Sequence, residues 1–358
     1  MIDISHPAHV HFFKNAIREF ENRDHELLIV SRRKDITLEL LDELGFSHTP
    51  LSTAAKGKNL VRFAWEMGLN CSRLLRKAAR FKPDVMLQIG GTFIAPVGFV
   101  LRRPAVVFYD TEFAKLSNMI SYPLARAVCT PECYEGDAGK HHVRYPGYHE
   151  LAYLHPDRFS PDPAVLDHYD LAPDDKIFII RFVGWAAHHD FGEQGFTTRA
   201  KCDLVKNLAA HGRVLITSEA PLPTELEPYR SPVPVSQIHH VMAFATLVAG
   251  ESATMASEAA VLGVPGFFIS TTGRGYTNEQ ERRYGLVRNF TPNQQAECCA
   301  AILELAQRPL ADIRDEYHAK RRTLLSERVD TTRWLVDYIE SLHSRGSRSH
   351  APPHSTSP

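Results

Sequence analysis

Short runs of β-branched and aromatic residues alternate along the chain with stretches of helical periodicity. An opening strand and a helix near 9–22 lead into HELLIVSR (25–32) and the helical ITLELLDEL (36–44). A long helical stretch near 58–80, PDVMLQIGG (83–91), PVGFVLRRP, AVVFYD (105–110) and ARAVCTP (125–131) complete a first series. Strands alternating with helices predict a parallel sheet covered on both faces. The segment 144–175 is rich in Pro, Asp and aromatic residues and lacks a period, so it reads as an interdomain connection. A second series follows: KIFIIRFVGW, a helix near 198–210, RVLITSEA, SQIHHVMAFA, TLVAGESA, a helix near 254–262 and VPGFFIST. Three helical segments run from 293 to 343, ahead of a polar, Pro/Ser-rich tail expected to be disordered.

The expected architecture is therefore α/β, with two doubly wound Rossmann-like domains facing across a cleft. The boundaries read as an acceptor-side domain at 1–150, a linker at 151–175 and a donor-binding domain at 176–327. A C-terminal helix at 328–343 and a disordered tail at 344–358 follow. A length of 358 residues fits two cores better than one. The composition, 44% hydrophobic and 23% charged with a net charge of −1, is that of an ordinary soluble chain and gives no field towards nucleic acid. Cysteines at 71, 129, 133, 202, 298 and 299 form no disulfide framework, which suits a reducing cytoplasm. No uncharged run reaches the ~18 residues of a membrane span, and no signal peptide precedes the first strand. Met1 stands almost on that strand, which suggests a start slightly inside the native one.

In doubly wound sheets ligands sit beyond the carboxyl ends of the strands. The most informative turn there is VAGESATMASEAAVLGVPGFFIS (248–270). A buried strand ends at Gly250, small polar residues follow, and a helix begins at Ser252 or Thr254, with Met255 in its first turn. Gly263 and Pro265 stop it. Small residues admit a ligand to the backbone, and a helix start offers unpaired N–H groups at a positive dipole end, which suits a diphosphate. Glu258, one turn in, could accept hydrogen bonds from ribose hydroxyls. The same pattern also fits an N-capped helix with an acid near its dipole.

This loop resembles the donor-nucleotide motif of GT-B glycosyltransferases and of the non-hydrolysing UDP-N-acetylglucosamine 2-epimerases. Gly273-Arg-Gly-Tyr-Thr-Asn-Glu-Gln280 resembles the loop in which the lipid-linked N-acetylglucosaminyltransferase of peptidoglycan synthesis uses a Gln to hold the donor sugar. GGTFIAPVGFVLRRPAVVFYDTE (90–112) resembles that enzyme's Gly-Gly turn and acidic acceptor-side loop. HPAHVHFF resembles its first loop, with His9 and Val10 in register and Ser5, His6, Pro7 and Ala8 in place of the family's glycines. ISHPAHVHFFKN together with GESATMASEAAVLGVP looks like the domain of unknown function 354 family, over roughly residues 1–340. The resemblance implies a nucleotide-diphosphate-sugar donor and no cofactor. Gln280 would orient the sugar, Arg274 would face the leaving diphosphate, and Gly90, Gly91 and Thr92 would line the acceptor side.

The three histidines of the opening could be metal ligands, a structural turn or an acceptor-side wall. H-x2-H-x-H lacks the downstream cluster of a metal hydrolase, so no metal is expected. The acceptor-side reading makes His9 a general base and His6 a substrate contact, since imidazole titrates near working pH. Asp110, which ends AVVFYD, and Glu112 just after it could deprotonate an acceptor hydroxyl, or stand as solvated loop acids. Arg181 and Ser218 end two strands of the second series and could line the nucleotide site. His188–His189 and His239–His240 read as a loop and an amphipathic helix, and His141–His142 take no role.

Residues 56–82 carry eight Lys and Arg against Glu66, with Leu60, Ala64, Met67, Cys71, Leu74 and Ala78 at helical spacing. That is a core helix with a solvated charged face, or a dock for an anionic membrane bearing a lipid-linked acceptor. The implied reaction is sugar transfer to a hydroxyl of a sugar or lipid-linked acceptor, in cell-surface polysaccharide or glycolipid synthesis, in the cytoplasm or at the inner membrane face. The alternatives are 2-epimerisation and nucleotide-sugar binding without catalysis. The epimerases' arginine-rich opening loop and doubled acid are replaced here by HPAHVH and ATMASEA, which favours transfer.

Overall fold

Buried apolar runs pair into two all-parallel sheets, and helices take up the residues between them. The computed structural model describes residues 1–33, 36–52, 60–112, 115–183, 195–218 and 221–348. Two compact units divide the chain. One comprises Met1–Glu132, Gly136–Tyr153 and the chain from Val329 on; the other comprises Cys133–Glu135 and Leu154–Arg328.

The first unit contains β1 (Ile2–Ile4), α1 (Pro7–Asn22), β2 (Ile29–Arg32), α2 (Thr37–Glu43), β3 (His48–Ser52) and α3 (Leu60–Phe81). β4 (Met86–Ile89), α4 (Ile94–Leu101), β5 (Ala105–Phe108), α5 (Lys115–Leu124), β6 (Ala127–Pro131), β7 (His142–Tyr145) and most of α6 (Leu151–Leu154) follow. Its seven strands run in the order β3-β2-β1-β4-β5-β6-β7. The reversal of order places the β1 and β4 turns at the switch point, where doubly wound sheets take their ligands. Phe12, Phe13 and Phe108 pack between α1 and β5 with ring centroids 4.9 to 6.1 Å apart.

The second unit contains α7 (Ala164–Asp167), β8 (Ile177–Phe182), α8 (Thr198–Ala209), β9 (Arg213–Ser218), α9 (Ile238–Met242), β10 (Leu247–Gly250) and α10 (Ala253–Leu262). β11 (Gly266–Ile269), α11 (Gly275–Arg282), β12 (Val287–Phe290), α12 (Gln295–Gln307) and α13 (Leu310–Glu327) complete it. Its sheet order is β12-β11-β10-β8-β9, so β10 is central.

Several expectations need correction. Segments 48–52, 142–145 and 287–290 are strands at sheet edges, and 275–282 is a helix; the sequence pattern had offered none of them. The stretch 151–175, read as an interdomain connection, carries the short helices α6 and α7. Helix α14 (Thr331–Arg348) continues into the part of the tail expected to be disordered, because the helical turn is still propagating there. It also belongs to the first unit. Thr331 and Thr332 donate their hydroxyls to the carbonyls of Tyr148 and Ala152 at 2.7 Å, and Glu340 pairs with Arg23 at 2.8 Å. In α3, Leu74 and Ala78 are buried, as an apolar stripe requires. Residues 56–59, His188–His189 and 349–358 lie outside the described residues.

Candidate functional site

In the first unit the functional candidates gather at the carboxyl edge of the sheet. His6 is the N-cap of α1: its backbone is extended and its Nδ1 accepts from the Ala8 N–H at 3.2 Å, with Pro7 at the first helical position. His9 lies one turn in, its ring centroid 6.0 Å from that of His6 and its Nδ1 3.4 Å from both the backbone nitrogen and hydroxyl of Ser5. His11 leaves this group. It is buried, with its ring 5.4 Å from that of Tyr153. Successive helical positions diverge by about 100°, so the opening triplet does not converge on one point.

The β4–α4 turn is built around Gly90 and Gly91, with φ +83° and +70°. A Cβ at Gly91 would stand 2.3 Å from Val107 Cγ2, so the turn admits no side chain there. Thr92 shares a 2.6 Å hydrogen bond with Ser117, which itself donates to the Gly90 carbonyl. Asp110, just past β5, accepts from Thr111 Oγ1 at 2.9 Å and lies 3.1 Å from His149 Nδ1. His149 is buried against the Phe12 ring at 4.5 Å, and its Nε2 has no partner among the described residues. Glu112, two residues beyond Asp110, is half-buried.

Beneath this edge lies a charged cluster that sequence reasoning missed. Arg32 donates both terminal nitrogens to Asp3 at 2.8 and 2.9 Å, and Gln88 donates to the same carboxylate at 2.9 Å. The guanidinium stacks 3.7 Å over the Phe93 ring, at the start of α4. Burial pushes the Asp3 carboxyl up, against the pull of Arg32. The legible signal was a charged or amide residue in each of three largely buried strands: Asp3 in IDI, Arg32 at the end of IVSR and Gln88 in MLQI.

In the second unit β10 delivers the chain to α10. Gly250 takes φ +146°, and a Cβ there would meet the Arg181 carbonyl oxygen at 2.0 Å, so only glycine fits. Ser252 caps the helix through the Met255 N–H at 3.3 Å, and Gly263 ends it in a left-handed turn. Thr254 and Met255 are half-buried at the helix start, and Met255 Sδ lies 3.8 Å from the Thr217 hydroxyl. Arg181 and Ser218, both half-buried, occupy the ends of β8 and β9 as anticipated.

The carboxylates here are held more firmly than the sequence suggested. Glu251, fully buried at its side chain, accepts from the Val183 and Phe196 N–H groups at 2.9 Å each and pairs with Lys201 at 2.9 Å. Glu258 is buried and its Oε1 lies 2.9 Å from His239 Nε2, on the helix α9 where the sequence had set His239 and His240 without assigning them a partner. Gln280, expected to orient a sugar, is fully buried and donates to Ser257 Oγ at 2.7 Å; its Oε1 has no partner among the described residues. That amide fastens α11 to α10, because the polar first turn of α11 folds back onto the small-residue helix. Arg274, the N-cap residue of α11, is half-buried and reaches Thr272 Oγ1 at 2.7 Å. Unit two thus offers a helix N-terminus capped by the Ser252 hydroxyl, with the Glu258 carboxylate one turn on, and unit one offers the Asp110–His149 carboxylate–imidazole pair.

Residues 1–276 match the profile of a family described as protein of unknown function (DUF354). Among curated proteins, the UDP-N-acetylglucosamine--N-acetylmuramyl-(pentapeptide) pyrophosphoryl-undecaprenol N-acetylglucosamine transferase of Desulfotalea psychrophila is 28% identical over 124 residues, 31% of this chain. An uncharacterized protein of Methanocaldococcus jannaschii is 24% identical over 157 residues, 42% of this chain. The matched stretches span 34% and 45% of those relatives' own lengths. Among solved structures, a Staphylococcus aureus (S. aureus) MnaA–UDP co-structure superposes with a TM-score of 0.66 at 13% identity, covering 96% of both chains. A putative UDP-N-acetylglucosamine 2-epimerase of Listeria monocytogenes gives 0.68 at 12% identity, covering 96% of this chain and 97% of its own. The spinosyn forosaminyltransferase SpnP gives 0.61 at 12% identity, covering 95% and 98%. At such identities the likeness is one of fold: α/β, with two parallel sheets, as in GT-B glycosyltransferases and UDP-sugar epimerases.

Proposed function

We propose that this chain, which belongs to the DUF354 family of proteins of unknown function, is a glycosyltransferase of GT-B type that needs no metal. It moves a sugar from a nucleotide-diphosphate-sugar to a hydroxyl acceptor, in cell-surface polysaccharide or glycolipid synthesis. The observation that carries this reading is the β10–α10 turn. Gly250 has no room for a side chain, Ser252 caps the helix, and Thr254 and Glu258 lie four residues apart on one helix face. The first-turn N–H groups and the dipole end favour a diphosphate there.

In the proposed reaction the acceptor oxygen attacks the anomeric carbon, the bond from that carbon to the diphosphate oxygen breaks, and the bonding pair leaves with the diphosphate. The α10 N-terminus, Ser252 and Arg274 stabilise the charge that develops on it. Glu258 contacts the ribose. The acceptor proton goes to Asp110, which His149 and Thr111 already hold in one orientation, with His9 and His6 the further imidazoles of that edge. Among ribonucleoside diphosphates and their sugars, one pair raises the melting temperature by several degrees, since saturation at a hundredfold over Kd stabilises by about 2.7 kcal/mol. Glu258→Ala removes that shift. A panel without any shift in the wild-type chain would discard the donor reading. Chromatography of the reacted sugar nucleotide separates transfer from the 2-epimerase alternative, which yields an isomerised donor with no nucleotide released. Binding without turnover would leave a non-catalytic sugar-nucleotide protein.

A lipid-linked acceptor is favoured by the outer surface of the first unit. Phe99, Val100 and Met119 are 66%, 65% and 75% exposed on α4 and α5. Arg76, Lys77 and Arg80 are exposed on the neighbouring α3, and Arg102 on the α4 end. Such a surface binds an anionic bilayer through both apolar and charge contacts. Reversing Arg76, Lys77 and Arg80 to Glu lowers co-sedimentation with phosphatidylglycerol vesicles more than about tenfold, at about 1 kcal/mol per basic side chain. Co-sedimentation that ignores the reversal would rule the surface out as a membrane dock.

A further inference from the structure

We infer that His239 is a positioning residue for nucleotide binding, acting through Glu258 on the ribose; this rests on the donor reading of the second unit. The pair is enclosed. His239 and Glu258 side chains are 4% and 8% exposed, and Nε2 stands 2.9 Å from Oε1. α9, which carries His239, packs on α10 and is pinned in turn. The His240 Nδ1 accepts from the Asp162 N–H at 3.0 Å, and Phe159 sets its ring edge-on to His239 at 6.4 Å.

A glutamate has three side-chain torsions and, on an isolated helix, samples many of them. Its carboxylate can grip a pair of hydroxyls only when those torsions are already set, because ordering them at the moment of binding subtracts from affinity. The hydrogen bond to His239 sets them beforehand. It uses the Nε2–H as donor, which fixes the proton on that nitrogen whenever the ring is neutral. The carboxylate then stands on the helix face of Thr254, four residues towards the N-terminus. The donor reading sets the ribose on that face, behind the diphosphate at the helix start. A histidine and a glutamate that merely filled the α9–α10 contact would need neither the helix start nor its half-buried Thr254 and Met255 beside them.

Two amides separate positioning from packing. Glutamine places its side-chain nitrogen about where Nε2 stands, whereas asparagine stops short of Glu258. Titration calorimetry with UDP, and with 2′,3′-dideoxyuridine 5′-diphosphate as the analogue without ribose hydroxyls, reads the difference. His239→Asn weakens UDP at least about tenfold, the effect of losing a hydrogen bond to a charged group, while His239→Gln stays within about threefold of the parent protein. Neither substitution changes the affinity for the dideoxy analogue, which has nothing for Glu258 to hold. Equal losses for both nucleotides in His239→Asn would make the pair a packing element and overturn the inference. Unchanged UDP affinity in that variant would overturn it while leaving the donor site intact. Where the melting panel selects another base, that ribonucleoside diphosphate and its 2′,3′-dideoxy analogue take the place of the uridine pair, and a parent protein that binds none of the panel would overturn the donor reading and this inference together. Were His239→Asn to unfold, as shown by circular dichroism, His239→Leu takes its place in the same comparison. It keeps an apolar body in the α9–α10 contact and donates nothing to Glu258, and the same selective loss of UDP is expected.

Discussion

Replacing Arg32 with methionine lowers the stability of the first unit by about 3–5 kcal/mol, the cost of stranding one member of a buried ion pair. The side chains of Arg32 and Asp3 are 8% and 0% exposed, and the two bonds between them are 2.8 and 2.9 Å long. Without the guanidinium, Asp3 keeps only the Gln88 amide at 2.9 Å among the side-chain donors of this cluster. Burial already raises its pKa, so the stranded carboxyl takes up a proton more readily still, and the loss of stability grows as pH rises. Urea unfolding followed by hydrogen exchange in β1 and β4 measures it. The double substitution Asp3→Leu with Arg32→Met recovers most of the loss, since an apolar pair of similar volume needs no partner. A single Arg32→Met as stable as the parent would show that the carboxylate finds water.

The effect reaches the β4–α4 turn through Gln88 and Arg32. Gln88 offers its amide oxygen to the Phe93 and Ile94 N–H groups, at 3.4 Å each, and Arg32 stacks on the Phe93 ring. The cluster therefore joins β1, β2 and β4 to the start of α4, just beyond Gly90 and Gly91.

What was legible in the sequence follows sheet position. Central strands such as AVVF and LVAG are buried on both faces and read as continuous apolar runs. The strands that escaped, HTPLS, HVRY and VRNF, lie at edges of their sheets. An edge strand tolerates polar residues and even proline, so its alternation is broken. Helix α11 escaped because GYTNEQER is polar nearly throughout, and the residues it buries, Gly275, Tyr276, Thr277 and Gln280, make no apolar stripe. In the site, local chemistry was legible and pairing was not. The Gly250 turn, the Ser252 cap and the Gly263 stop are each written within a few residues. Asp110 with His149, Asp3 with Arg32, and Glu258 with His239 are joined only by the topology of the fold. For the same reason Gln280, expected on a loop, could be neither set on α11 nor turned inward from sequence alone.

Replacing Glu251 with alanine should cost the second unit at least about 3 kcal/mol, more than any other change at the β10–α10 turn except filling Gly250. Its carboxylate takes two backbone N–H groups and the Lys201 ammonium within 3.1 Å, so its loss leaves three buried or half-buried donors unserved at once. The donors come from the end of β8, from the residue ahead of the α8 cap and from α8 itself, so one side chain gathers three segments beside the start of α10. Glu251→Gln keeps the volume but turns an N–H group towards donors, and should fall between the alanine variant and the parent. The prediction has an independent probe in Gly195, where a Cβ would stand 2.2 Å from Glu251 Oε1. Gly195→Ala therefore pushes the carboxylate off its partners without removing it. Hydrogen exchange should rise in the peptides covering β8 and α8 in all three variants, in the order Glu251→Ala, Gly195→Ala, Glu251→Gln. Exchange confined to α10 would instead mean that the carboxylate serves the helix cap, and that the β8 and α8 ends are held by their own packing.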